Sequence, residues 1–411
     1  MKARHITIVM AALCLSSCEK AAPEKHASPG TPYTLTKVQE DMVIGNNGFA
    51  FDLLEAVSED GEFSGKDFMV SPLSVSILLG ALDNGATGLT SEEILTAIGF
   101  EGCTVNDINE YCRAILQGCP GVDDLVKVKM ANAVMVKDIM NLKKGFSDAL
   151  TTYYEAYVRS MKFDKAALDE INGWCKEQTE GVIPKILDNI PERALLIALN
   201  SIYFKGDWAE KFDKENTRKA VFTNIDGTTG NVSMMHIKDS FRYSSNDLWE
   251  TVRLPYGNCS YSMYVLLPKE GYSISDVIGS LDSGSWTEEK KRMNEMMVDL
   301  KLPSFVTESN IDLRKIMKSL GMKKAFSPSE AEFDEMFEDI SSETYLGLLK
   351  HVSKIIVNEE GTEAAAVTVG GMYGTSVLPR DVTFHADRPF IYLIQEQSSN
   401  AIFFIGVKVR S

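Results

Sequence analysis

The sequence predicts a single continuous globular domain that holds one strand-forming segment in reserve near its C-terminus. Three observations predict it. The chain is 44% hydrophobic and 24% charged with only 13 prolines, the make-up of a globular protein with a sizeable core. No Pro/Gly/Ser-rich linker, charge run, internal repeat or sustained heptad pattern divides it between Thr34 and Ser411, so its 411 residues read as one unit. Third, Asn358 to Thr368 is an acidic turn that feeds a run of small residues. In a strand, residues two apart share a face, which puts Thr362, Ala364, Ala366 and Thr368 together and Glu363 opposite. Four small side chains on one face let such a segment slide between two strands of a sheet without displacing core residues. Gly361 at its base, lacking a Cβ, accepts the backbone rotation this move demands. Gly370 to Ser376, with three glycines and no helical period, reads as an exposed, mobile loop. On composition alone an ordinary Ala-rich linker stands beside this reading.

The N-terminus is a separate element. Met1 to His5 is a positive start, Ile6 to Leu15 a short apolar run, and Leu15-Ser16-Ser17-Cys18 a small-residue ending. A run of about ten residues is half of what a membrane-spanning helix needs, so residues 1–17 read as a signal peptide. The ending resembles the lipobox of bacterial lipoproteins, which makes Cys18 an acylated anchor and residues 18–40 a tether, polar and proline-bearing from Glu19 to Pro32. The implied location is the bacterial cell envelope, lipid-anchored to a membrane, with the outer surface as one option.

Five cysteines remain: Cys103, Cys112, Cys119, Cys175 and Cys259. An odd number excludes a fully paired framework, and no CxxC spacing suggests zinc or redox chemistry, so no metal site is expected. Cys103, Cys112 and Cys119 are near enough in sequence to permit one bridge, although buried thiols serving as small apolar side chains are the commoner case. A net charge of -16 argues against nucleic acid and anionic surfaces as partners.

Catalytic signatures are missing. There is no GxSxG, HExxH, P-loop or GxGxxG, and beyond the first 32 residues only His236, His351 and His385 are available. A triad built on His351 is the remaining enzymatic option, and a lone histidine in an apolar strand is more often a satisfied core residue.

Motifs in order along the chain carry a resemblance. Asn46 to Phe51, Val70 to Ser76 and Gly85 to Ile94 stand near the start, and Leu199-Asn200-Ser201-Ile202-Tyr203-Phe204-Lys205-Gly206-Asp207-Trp208 with Phe212 and Thr217 in the middle. Leu254-Pro255-Tyr256, Leu267-Pro268, Leu302-Pro303-Ser304-Phe305, Leu320-Gly321-Met322 and Ala386-Asp387-Arg388-Pro389-Phe390 follow. From Asn46 to Arg410 the chain resembles the serpins, inhibitors of peptidases that insert a cleaved loop into a sheet.

The resemblance implies an α+β fold, with helices around a large central mixed β-sheet plus smaller sheets, in a domain spanning 41–411. It also implies a reactive-centre loop at about 359–383 and no enzymatic activity, cofactor or metal. Glu359, Gly361, Thr362, Ala364, Ala366 and Thr368 become the hinge. His351 is expected to pair with Asn200, Ser71 and Ser74 beneath the point where the sheet opens, with Trp208 covering its top. One departure is visible: after Leu302-Pro303 many serpins carry a lysine that pairs with the hinge glutamate, and this chain has Ser304, so Glu359 is expected to find another cation or stay solvated. The family places the scissile bond fourteen residues after the hinge glycine, and counting back nine from Phe384 agrees, giving Thr375-Ser376.

A small β-branched residue before the cut suits the shallow pocket of an elastase-like serine peptidase, with a cysteine peptidase as a second class. The early region Asp107 to Ala114 is mostly acidic or neutral, with Arg113 its one basic residue, so no sulfated-polysaccharide cofactor is expected. A monomer is the expected state. A non-inhibitory serpin used as a binding or carrier module is the alternative.

Overall fold

A computed structural model describes residues 30–338, 344–362 and 381–411. Local signals set where its helices begin. Helix α1 (Lys37–Glu59) opens on a capping box, in which Thr36 accepts from the Gln39 amide and Gln39 reaches back to the Thr36 amide. Ser71 caps α2 (Pro72–Asp83), with proline in the first turn where its missing N–H costs nothing. Every residue of α2 is buried, as expected of a helix apolar on nearly all sides. The other described helices are α3 (Gly88–Ala97), α4 (Val105–Val122), α5 (Lys144–Tyr154), α6 (Lys165–Gln178), α7 (Ile274–Ile278), α8 (Ser283–Arg292) and α9 (Arg314–Ser319).

The strands run in chain order as β1 (Phe68–Val70), β2 (Val126–Lys137), β3 (Tyr157–Met161), β4 (Leu196–Asp207) and β5 (Arg218–Thr223). Next come β6 (Thr229–Ser245), β7 (Trp249–Tyr256), β8 (Tyr261–Pro268), β9 (Asn294–Pro303) and β10 (Phe305–Asp312). The series ends with β11 (Leu346–Asn358), β12 (Gly361–Thr362), β13 (Asp381–His385), β14 (Phe390–Glu396) and β15 (Ile402–Lys408).

Two sheets result, and the architecture is the expected α+β one. The mixed six-stranded sheet has the order β10-β11-β12-β4-β2-β3. Below the two residues of β12, β11 and β4 pair directly and in parallel, from Leu346 opposite Leu196 to Lys354 opposite Tyr203. A nine-stranded sheet, in the order β1-β15-β14-β8-β7-β6-β9-β13 with β5 added on β6, takes the place of the separate smaller sheets. The long β6 joins them, pairing with β5, β7 and β9 along its length.

The six-stranded sheet is buried on both faces. In β4, Leu196, Ala198, Ile202 and Phe204 join the main core with α2, whereas Ile197 and Leu199 pack with Ile171, Trp174 and Cys175 of α6 on the other side. A continuous apolar run such as β4 is what double burial requires.

One expectation about the start of the chain changes. Residues 31–40 read as tether in the sequence, yet the Thr31 amide donates to the Gly121 carbonyl at 2.8 Å, and Tyr33 donates its hydroxyl to the Ile115 carbonyl and to Cys119 Sγ, each at 3.0 Å. A tyrosine whose ring and hydroxyl both find partners in the core docks residues 31–33 on the folded domain. Cys18 lies outside the described residues. The five remaining cysteines are unpaired; Cys112, Cys119 and Cys175 are buried, Cys103 is half-buried, and Cys259 is exposed in a turn at φ 72°. Burial pushes the Cys119 thiol up to about 12, which suits an apolar filler and not a nucleophile.

Candidate functional site at the head of the six-stranded sheet

The hinge is already in the sheet. Gly361 and Thr362 form β12, antiparallel to both neighbours, with Thr362 opposite Val357 of β11 and Gly206 of β4. Gly361 has φ 149°, and a Cβ there would come within 2.2 Å of the Gly206 carbonyl oxygen. Only glycine fits that approach. Thr362 is fully buried, and its hydroxyl meets that of Tyr256 at 2.8 Å, so the buried polar atom is satisfied. Ala364, Ala366, Thr368 and the expected bond Thr375-Ser376 lie outside the described residues.

Trp208 covers the junction. Its indole stacks on Tyr256, with centroids 4.3 Å apart and planes 13° from parallel, and packs edge-on against Phe212. Trp208 Nε1 donates to the Asn358 carbonyl at 2.9 Å, its amide to the Glu360 carbonyl at 2.9 Å, and the Phe212 amide to the Glu359 carbonyl at 3.0 Å. Three consecutive hinge carbonyls are thus bound by one segment.

With Ser304 in place of a lysine, Glu359 makes no direct ion pair among the described residues. It accepts from the Thr217 hydroxyl at 2.7 Å, and the neighbouring Glu360 takes the positive charges: Lys211 at 3.0 Å and Lys214 at 2.8 Å. Bonds from Lys214 and Lys211 hold the Glu360 carboxyl below the usual glutamate range. Lys211 also bonds Asp207, at 3.2 Å.

Lower in the same sheet the expected polar cluster is assembled. His351 and Asn200 are opposite each other on the β11–β4 ladder. The Ser71 amide donates to His351 Nε2 at 3.0 Å, which makes that nitrogen the acceptor and Nδ1 the proton-bearing one, donating to Asn200 Oδ1 at 2.7 Å. The Asn200 amide group then donates to the Ser74 carbonyl and hydroxyl and to Asn132 Oδ1. Burial pushes the imidazole down to about 3, so the ring is neutral at physiological pH.

Asn132 was not anticipated. It is buried, stands opposite Asn200 on β2, and extends the row across three strands; among the described residues its Nδ2 has no partner. An asparagine inside the apolar alternation of β2 was the signal available in the sequence.

The far end of the loop region is built differently. Strand β13 lies at a sheet edge, pairing in parallel with β9 alone. Lys238 bonds Asp381 at 2.8 Å, and Asp299 is flanked by His236 at 3.0 Å and His385 at 3.4 Å. Among the described residues no group of three His, Cys, Asp or Glu side chains converges on a point where a metal ion would be held.

The comparisons with known proteins agree with this geometry. The family model described as Serpin (serine protease inhibitor) matches residues 44–411. The leukocyte elastase inhibitor of Equus caballus is 33% identical over 385 residues, covering 89% of this chain and 98% of that protein. The thermophilic serpin tengpin in its native state superposes with a TM-score of 0.83 at 26% identity, covering 94% of this chain and 97% of that one. Human thyroxine-binding globulin complexed with thyroxine gives 0.81 at 26% identity, covering 91% and 100%. With the family model matched over residues 44–411 and the equine relative named as an inhibitor, this chain belongs to the serpin family of serine protease inhibitors.

Proposed function

We propose that the protein is a suicide inhibitor of an elastase-like serine endopeptidase, cleaved after Thr375 and acting by insertion of its loop as a new strand. The observation that carries the reading is β12, since Gly361 and Thr362 already occupy the first positions of that strand between β11 and β4. A peptidase attacks the Thr375 carbonyl and forms its ordinary acyl-enzyme. Release of the chain at Ser376 frees residues 363–375 to follow Thr362 down the sheet. From Gly361 to Thr375, at about 3.3 Å per residue, the acylated peptidase would travel about 50 Å. Distortion of its active site then stops deacylation.

Insertion must part His351 from Asn200, because a new strand widens their separation by about 4.8 Å. That bond, with its Ser71 and Ser74 partners, therefore acts as a latch on the sheet, re-pairing when the strand arrives. The shallow-pocket argument from Thr375 and the name of the equine relative support an elastase-like target.

A second reading is carriage of a small ligand, favoured by the thyroxine-bound neighbour and by a cleft of about 360 Å³ between α1 and α8 where Val43, Trp286 and Lys290 meet. The lipobox-like ending supports membrane anchoring through Cys18 in the cell envelope. The deciding experiment is a denaturing gel of the domain lacking residues 1–29, mixed with an elastase-like peptidase. A covalent band near the summed masses, with a released tail beginning at Ser376, is expected; cleavage without a complex by any of a panel of peptidases would reject inhibition in favour of carriage.

A further inference from the structure

The ion pairs at the hinge form an arrangement that the insertion mechanism does not itself require. Asp207 and Glu360 are both largely withdrawn from water, at 12% and 22% side-chain exposure, and both bond the ammonium of Lys211, itself 18% exposed. Asp207 belongs to β4 and is the ladder partner of Gly361, the residue after Glu360. The lysine therefore ties the fixed strand to the hinge at the step where the chain enters the sheet. Without it, two shielded carboxylates of like charge would face each other across that step, an arrangement that favours separation or protonation. Lys214 does not bridge the step in the same way. It is 68% exposed and pairs with Glu360, not with Asp207.

We propose that Lys211 is a positioning residue that keeps the first two loop residues docked, and that this docking sets the division of the protein between inhibitor and spent substrate. The second half rests on the inhibitory reading above. The β11–β4 seam ends at Lys354 and Tyr203, while Thr362 sits at Val357 and Gly206, three residues further along each strand. A docked hinge starts insertion with its ends already together, removing the loop-closure step that precedes the first new rungs. An undocked hinge must find the gap before the acyl-enzyme hydrolyses.

The test uses Lys211→Met, Lys211→Arg and the double variant Lys211→Met with Glu360→Gln, in the full domain. Hydrogen exchange at the Trp208 and Phe212 amides reads docking directly, because their acceptors are the Glu360 and Glu359 carbonyls. Expected is a loss of protection in Lys211→Met of roughly tenfold or more, equivalent to about 1.4 kcal/mol, with recovery in Lys211→Arg and in the double variant, where the repulsion is gone. Parent-like protection in Lys211→Met, or no recovery in the double variant, would overturn the docking role. The stoichiometry of inhibition should rise in Lys211→Met and return in Lys211→Arg; lost protection with unchanged stoichiometry would overturn the partition role. If the parent traps no peptidase, the inhibitory reading fails and the partition role with it, and exchange still decides the docking.

Discussion

Thr362 lies in a sheet interior, fully buried and bonded to Tyr256; Asp381 opens an exposed edge strand, its carboxylate held by Lys238. The first anchor has two neighbouring strands, three carbonyls bound by Trp208 and Phe212, and a half-shielded lysine. The second has one neighbour, β9, and ion pairs whose partners are a third to two-thirds exposed. Burial makes the hinge end depend on shape and on charge exclusion. Exposure leaves the distal end to its backbone ladder and the buried Phe384, since screened surface pairs add little.

The largest effect should come from Thr362→Arg. An unpaired guanidinium cannot occupy a site with no exposure beside Tyr256, so the hinge must leave the sheet. Loss of the covalent band with retained cleavage is expected, a fall in trapping of roughly tenfold or more. Parent-like trapping by this variant would break the proposed asymmetry, since the buried anchor would then be dispensable.

Next is acid. The folded protein holds His351 neutral, at about 3 against an ordinary 6.5, so unfolding takes up a proton between those values. Its stabilisation is complete above 6.5 and is lost as the pH falls toward 3, by about 1.4 kcal/mol per pH unit within that window. The urea midpoint of the parent should therefore drop more steeply between pH 6 and pH 4, both inside that window, than that of His351→Gln. Parallel slopes would show that the latch does not sense protons.

The smallest effect belongs to the distal end. Lys238→Ala removes a pair with side chains 49% and 69% exposed, and its thermal midpoint should stay within about one degree of the parent. A large, salt-sensitive drop would mean that surface charge, not the β9 ladder, holds β13.

Sequence reasoning reached the parts of this site that recur as contiguous motifs. Ser71, Ser74, Asn200 and Trp208 lie in such blocks and His351 follows from its spacing before Gly361; hydrogen bonds bring Ser71, Ser74, Asn200 and His351 together. It missed Asn132, whose partner is 68 residues away, although a lone asparagine among the apolar positions of β2 was a signal for it. For Glu359 it left another cation or solvent as the choices, whereas adjacent glutamates in a turn face different neighbours: Glu359 meets the Thr217 hydroxyl and Glu360 the lysines. Which of two like residues meets a charge is decided by a backbone rotation, and no one-letter pattern encodes it. The docking of residues 31–36 escaped for a related reason, because it runs through backbone amides and one tyrosine hydroxyl, none of which makes a pattern in the sequence.

The parallel seam between β11 and β4 gives the sheet a direction in time. From β10 to β2 every other neighbouring pair in that sheet is antiparallel. Driving β12 downward replaces each parallel contact with antiparallel contacts on both sides of the newcomer, the more stable pairing and twice as many of them. Running backward would require giving up two good ladders for one poorer one. On the proposed mechanism the molecule would be wound once, during folding, and would discharge once, with no route by which to reload.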